Sequence, residues 1–89
     1  MRVGILGAGN ISDTHARAAS AVAGTTIVAV HGANLERARR LADAYNATAY
    51  ADLDGFLAHP MDVVAIGSPS GLHAEQGIAA CRRGLHVLV

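Results

Sequence analysis

The chain has 89 residues, of which 52% are hydrophobic and only 3% aromatic, and its formal net charge is zero. That size fits one small domain, and an aliphatic, alanine-rich composition fits a parallel sheet between helices. Neutral charge without a basic, aromatic-laced stripe excludes nucleic acid as the expected partner. The single Cys81 excludes an internal disulfide framework and fits a reducing compartment. No stretch approaches the roughly 20 apolar residues of a membrane span, and the first apolar run is too short for a signal peptide, so a cytoplasmic location is expected.

Val3, Ile5 and Leu6 read as a first buried strand. It breaks at Gly7-Ala8-Gly9-Asn10-Ile11-Ser12, where two glycines stand one residue apart and a small residue takes the place of a third. Gly7 permits a sharp turn, Gly9 lets the backbone approach a ligand closely, and Ser12 is small enough for helix and strand to pack. A helix follows over 10–23, with Ile11, His15, Ala18 and Val22 as its expected inner stripe and His15 as a packed histidine. Its free N-terminal amides make the turn a site for phosphate or pyrophosphate. Gly24 stops this helix, and 25–30 reads as a β-branched second strand.

Asn34 is the expected N-cap of a second helix, with Leu35, Ala38, Leu41, Ala42 and Tyr45 facing inward. Residues 47–50 read as a short third strand. Asp52 caps a short helix that buries Leu53, Phe56 and Leu57, and Pro60 stops it. Residues 62–66 are apolar as a central parallel strand should be, apart from Asp62. They run into a second small-residue loop, Gly67-Ser68-Pro69-Ser70-Gly71. A helix over 72–83 follows, with Ala74, Ile78 and Cys81 expected on its inner face and Gly84 as its stop. Residues 85–89 begin a fifth strand.

This alternation implies right-handed crossovers and an α/β, Rossmann-type doubly wound parallel sheet of order 3-2-1-4-5. The topological switch then falls between strands one and four, and both small-residue loops open into its crevice.

These residues carry a family resemblance. Arg2 to Ser12, the Glu36-to-Ala42 helix, Asp62 to Glu75 and Gly84 to Val89 together resemble the N-terminal nucleotide-binding domain of the Gfo/Idh/MocA oxidoreductases, the glucose-fructose oxidoreductase and inositol dehydrogenase family. The most specific stretches are Ser68-Pro69-Ser70-Gly71-Leu72-His73 and Gly84-Leu85-His86-Val87-Leu88-Val89. The resemblance implies an NAD(P)-dependent dehydrogenase acting on a sugar or polyol-like substrate. It also implies a Glu-Lys-Pro motif just after the last strand and a separate substrate domain. Residues 1–89 are therefore expected to be the partial, cofactor-binding domain, with no catalytic residue among them and little activity alone. A homo-oligomer is left open.

The cofactor-binding residues expected on these grounds are Gly7, Ala8, Gly9, Asn10, Ile11, Ser12, Gly32, Arg37, Ser68, Pro69, Leu72 and His73. Gly32 occupies the position at which an acid would bind the ribose 2′-hydroxyl of NAD. Without that acid a 2′-phosphate is tolerated, and Arg37 either pairs with it or is a solvated surface charge. The cofactor reading is NADP or NAD, leaning to NADP. His31 contacts adenine or faces solvent, and His73 lines the cofactor. No metal-ligand spacing occurs. A non-catalytic NAD(P)(H)-binding or scaffold module is the alternative reading, and a methyltransferase or flavoprotein is disfavoured by the missing acids.

Overall fold

The computed structural model describes residues 1–7, 10–67 and 73–88, with the side chains of residues 10–13, 73 and 74 outside the description. Its elements are β1 (Arg2–Leu6), α1 (Asn10–Ser20), β2 (Thr26–His31), α2 (Leu35–Ala44), β3 (Thr48–Tyr50), α3 (Leu53–Ala58), β4 (Val63–Ile66), α4 (His73–Arg82) and β5 (His86–Leu88). Every pairing is parallel and the strand order is β3-β2-β1-β4-β5, as expected. The register steps between Val3 and Gly4, which pair with Ile27 and Ala29 and so pass over Val28.

In β1 and β4 the two-residue period divides the core into two layers, and in β2 the register step puts Ile27 and Ala29 in opposite ones. Val3, Ile5, Ile27, Val30, Val63 and Ala65 pack against Ala16 of α1 and Ala38 and Ala42 of α2. Leu6, Ala29, Val64 and Ile66 pack on the opposite face against Phe56 and Leu57 of α3 and Ala80 of α4. Gly4 belongs to that second face. A Cβ there would lie 2.8 Å from Phe56 Cζ and collide with the Met61 sulfur. The missing side chain is what admits the Phe56 ring, which is fully buried and stabilises the fold by roughly 1.5–3 kcal/mol relative to exposure.

The helix ends follow from local chemistry. Asn34 Oδ1 accepts from the Arg37 amide at 3.2 Å, and Asp52 Oδ2 accepts from the Gly55 amide at 2.6 Å. Each such cap contributes about 1 kcal/mol. α2 and α4 close in the same way. Asn46 (φ 58°) and Gly84 (φ 77°) adopt left-handed backbone. The next amides, of Ala47 and Leu85, then reach back to the carbonyls of Ala42 and Ala80 at 2.9 and 3.2 Å. These are paired six-to-one and five-to-two closures that lead directly into a strand.

Two helices turn differently from expectation. α1 ends at Ser20, so Val22 lies beyond it and is 57% exposed, and Ala18 is exposed as well. The inner face is Ala16, with Ala19 packed beside it. In α4, Ile78 is 55% exposed and Cys81 is exposed, whereas Gln76 and Ala80 are buried. Cys81 is therefore a surface residue rather than a core one. Alanine is the residue that lets a helix sit close on a sheet, so the small residues turn inward. Ile78 lies about 200° round the helix from Gln76 and is carried outward.

Candidate functional site

The site is the edge of the sheet where β1, β2 and β4 end. Three glycines end these strands and extend the ladder by one bond each. The Gly67 amide donates to the Leu6 carbonyl at 2.8 Å, the Gly7 amide to the His31 carbonyl at 2.7 Å, and the Gly32 amide to the Tyr50 carbonyl at 3.1 Å. The result is a row of backbone with no Cβ along the rim of the crevice. Gly7 has φ 104°, a conformation that L side chains rarely adopt, so the turn out of β1 requires glycine.

Two helices begin beside this row. α1 starts at Asn10 and α4 at His73, following the neighbouring strands β1 and β4. Their N-termini therefore lie on the two sides of the topological switch, where open parallel sheets bind ligands. Of the expected site residues, Asn10, Ile11 and Ser12 form the first turn of α1 and His73 opens α4, with their side chains outside the description. Ala8, Gly9, Ser68, Pro69 and Leu72 lie outside the described residues. Gly32 is buried and directly follows His31, the last residue of β2. Arg37 is in the first turn of α2 with its amide held by Asn34. Its side chain is exposed and forms no ion pair among the described residues. The neighbouring Arg40 instead approaches Glu36 at 3.8 Å.

His31, the last residue of β2, is half-buried. Its ring lies against Phe56 with centroids 5.8 Å apart and planes at 58°. Tyr50 crosses the same Phe56 ring edge-on at 6.3 Å and shares a 2.7 Å hydrogen bond with His59 Nδ1. His31 Nδ1 is sealed from solvent and meets no described residue in good hydrogen-bonding geometry, although the ring feels a hydrogen bond with the Ala51 backbone. Burial lowers the His31 pKa below its ordinary value, against smaller opposing pulls from the Ala51 backbone and the Asp52 charge. His15 Nδ1 is sealed in the same way.

Sequence reasoning placed the Gly67 loop at the crevice without naming Gly67 as a site residue, and it missed the part played by Gly4. Gly67 continues the ladder next to Gly7, and Gly4 makes room for the ring under His31. A glycine ending each strand beside the switch was a readable signal for the first. The second depends on where α3 docks, which no local pattern encodes. Among the described residues no cluster of three or more His, Cys, Asp or Glu is placed to hold a metal, and no helix is long and apolar enough to cross a membrane.

A parallel sheet of this order, with a positive-φ glycine leading into a helix at the switch point, defines a Rossmann-type nucleotide-binding domain. The chain belongs to the Gfo/Idh/MocA family: the family model described as oxidoreductase family, NAD-binding Rossmann fold, matches residues 1–89. It is 36% identical to D-glucoside 3-dehydrogenase of Escherichia coli over 99% of this chain and 26% of that protein. Among solved structures it is similar to the WlbA dehydrogenase of Bordetella pertussis in complex with NADH and UDP-GlcNAcA. That match has a TM-score of 0.91 and 30% identity, over 98% of this chain and 28% of the other. It is also similar to KijD10, a 3-ketoreductase of Actinomadura kijaniata in complex with NADP and TDP-benzene, with a TM-score of 0.91, 29% identity and coverage of 99% and 28%. The chain spans between 25% and 29% of the length of the curated relatives it matches.

Proposed function

We propose that residues 1–89 form the cofactor-binding domain of an NAD(P)-dependent dehydrogenase that moves a hydride to or from a sugar or polyol-like substrate. The observation that carries this reading is the row of Gly67, Gly7 and Gly32 amides beside the N-termini of α1 and α4. Backbone without side chains allows close approach, and two helix N-termini favour a pyrophosphate. The sugar preference is supported by relatives named as a glucoside 3-dehydrogenase and as a dehydrogenase in complex with NADH and a nucleotide sugar. A bound nicotinamide supplies the hydride chemistry, and the residues of this chain bind and orient it. Groups that bind the substrate and move its proton are proposed to lie outside residues 1–89.

Within this domain Gly7, Ala8, Gly9, Asn10, Ile11 and Ser12 are proposed to hold the pyrophosphate, and Ser68, Pro69, Leu72 and His73 to line the cofactor from the second loop. The preference is proposed to be for NADP. Gly32 carries no carboxylate to repel a 2′-phosphate, and Arg37 is an exposed cation in the following helix turn. Titration with NADPH and NADH, following nicotinamide fluorescence, tests both levels. Tighter binding of NADPH is expected, and Arg37→Ala should weaken NADPH by about tenfold, the size of one charge-assisted hydrogen bond, while sparing NADH. Tighter NADH binding overturns the NADP preference alone. A folded chain that binds neither overturns the dinucleotide reading.

A further inference from the structure

We propose that Asp54-Gly55 is a latent site of isoaspartate formation and that the carboxylate of Asp52 holds it closed. Asp54 is the only aspartate that precedes a glycine, and no asparagine does. A glycine in that place leaves the attacking nitrogen unhindered. In the reaction the Gly55 nitrogen bonds to the carboxyl carbon of Asp54 in its acid form. Water leaves, made of the amide proton and the carboxyl hydroxyl. The cyclic imide then takes up water at one of its two carbonyls. Opening at one restores aspartate, and opening at the other runs the backbone through the side chain as isoaspartate. Water is the sole co-reactant and nothing is oxidised or reduced.

The Asp54 side chain is loosely held. It is 94% exposed, and its approach to Arg83 at 3.9 Å is a solvated pair that restrains it little. The restraint lies on the nitrogen instead. The Gly55 amide donates to Asp52 Oδ2 at 2.6 Å, and the Phe56 amide closes the first turn of α3 on the Asp52 carbonyl at 3.2 Å. Attack needs Asp54 to leave helical backbone for an extended one, which breaks that turn. It also needs the nitrogen to give up its proton, and a carboxylate beside it opposes the negative charge that results. The same cap accounts for the glycine. A Cβ at Gly55 would lie 2.6 Å from Asp52 Oδ2 and 2.9 Å from Oδ1, so the close cap and the vulnerable pair come together. α3 has only six residues, and so short a helix belongs to the low-stability end of local opening. Isoaspartate would add a methylene to the backbone inside α3 and shift Phe56, the buried ring packed against His31 and Tyr50. A reaction at the surface thus reaches the rim of the crevice.

The test ages the chain and its Asp52→Ala and Asn34→Ala variants in warm neutral buffer. Isoaspartate is counted with an isoaspartyl-specific methyltransferase and labelled S-adenosylmethionine, and is located by peptide mapping. Asn34→Ala removes the equivalent cap from α2, so it costs similar stability without touching Gly55. Asp52→Ala should form isoaspartate at Asp54 about five times faster than the wild type, the population shift for losing one cap. Asn34→Ala should stay near the wild-type rate. Equal acceleration by both variants overturns the proposal, because it assigns the protection to the fold as a whole. A wild-type rate in buffer equal to that in denaturing urea overturns it too, as does the absence of isoaspartate at Asp54 in urea. If Asp52→Ala does not fold, the wild type in urea below its unfolding transition makes the same comparison. There the rate should rise in step with hydrogen exchange of the Gly55 amide, and a rate that stays flat while that amide opens overturns the proposal.

Discussion

The Gly7 amide and the His31 carbonyl meet at 2.7 Å, and this one bond joins the turn out of β1 to the end of β2. Gly7 can make it only from a backbone with φ 104°. A side chain there forces either a strained residue or loss of the bond. Gly7→Ala is therefore expected to lower stability by about 1–3 kcal/mol and to remove dinucleotide binding. Chemical denaturation read beside the NADPH titration checks it. Full affinity in Gly7→Ala would show that the turn does not approach the cofactor.

Gly77 and Gly84 form a matched pair within one helix and its closure. A Cβ at either position meets nothing within 4 Å, but Gly84 has φ 77° and Gly77 lies inside α4. The two substitutions therefore differ in backbone cost alone. Gly77→Ala should stabilise by about 1 kcal/mol, the helix-propensity difference. Gly84→Ala should destabilise by about 1–2 kcal/mol, the cost of left-handed backbone. Thermal unfolding of the two variants should give midpoints that move in opposite directions.

What could be read from the sequence was the chemistry that acts within a few residues. Asn34 and Asp52 cap as their residue types predict because each side chain needs only the amide three residues on. The strand order followed from alternation and crossover handedness, which do not depend on side-chain detail. The inner faces of α1 and α4 were misread because both helices are rich in small residues. Hydrophobic spacing then distinguishes faces poorly, and close approach to the sheet selects Ala16 and Ala80 over Ile78. In the site, the turn at Gly7 was legible as a single residue, and its φ of 104° bears it out. The shared ladder of Gly67, Gly7 and Gly32 was not, because it exists only after β4, β1 and β2 are placed in register.

Gly4 and Phe56 are complementary across the second core layer. An added Cβ comes within 2.8 Å of Phe56 Cζ, and a buried ring held by Tyr50 and His31 has little room to withdraw. Gly4→Ala should destabilise by roughly 1–3 kcal/mol through overpacking. Combining it with Phe56→Leu should recover part of that loss, since the two changes share one volume. Strictly additive losses in denaturant titrations would mean that the Cβ is accommodated elsewhere.

His31 sets an acid response in the mildly acidic range. Its folded pKa lies below the ordinary 6.5 because burial disfavours the charged ring. The unfolded chain therefore takes up the proton first, and stability falls as pH drops from the unfolded value toward the lower folded one. His31→Phe has no such proton to bind, so its stability should change less between pH 7.5 and pH 5.5 than that of the wild type, measured by urea titration at each pH. Identical slopes would show that the buried ring titrates as it does in the open chain.

Asp62 acts in a lower pH window and at the opposite edge of the sheet. Its carboxylate accepts from the Arg2 amide at 2.8 Å and from the Arg2 guanidinium at 3.3 Å, while the Asp62 amide returns a bond to the Arg2 carbonyl at 2.8 Å. The Arg2 amide first, and then the Arg2 side chain, hold its pKa below the ordinary 3.8. A carboxylate with a depressed folded pKa stabilises fully above its unfolded value and loses that contribution as pH falls through the folded one. Asp62→Asn should thus be less stable than the wild type at pH 7, and the difference should shrink below pH 3.8 as the wild-type carboxylate takes up its proton. Because both side chains are about half exposed, added salt should narrow the part of the difference due to the guanidinium and leave the amide's part. Urea titrations of both proteins at pH 7 and pH 3, with and without salt, separate the two contributions. A gap that does not vary with pH would mean that the Arg2 contacts do not depend on the carboxylate's charge.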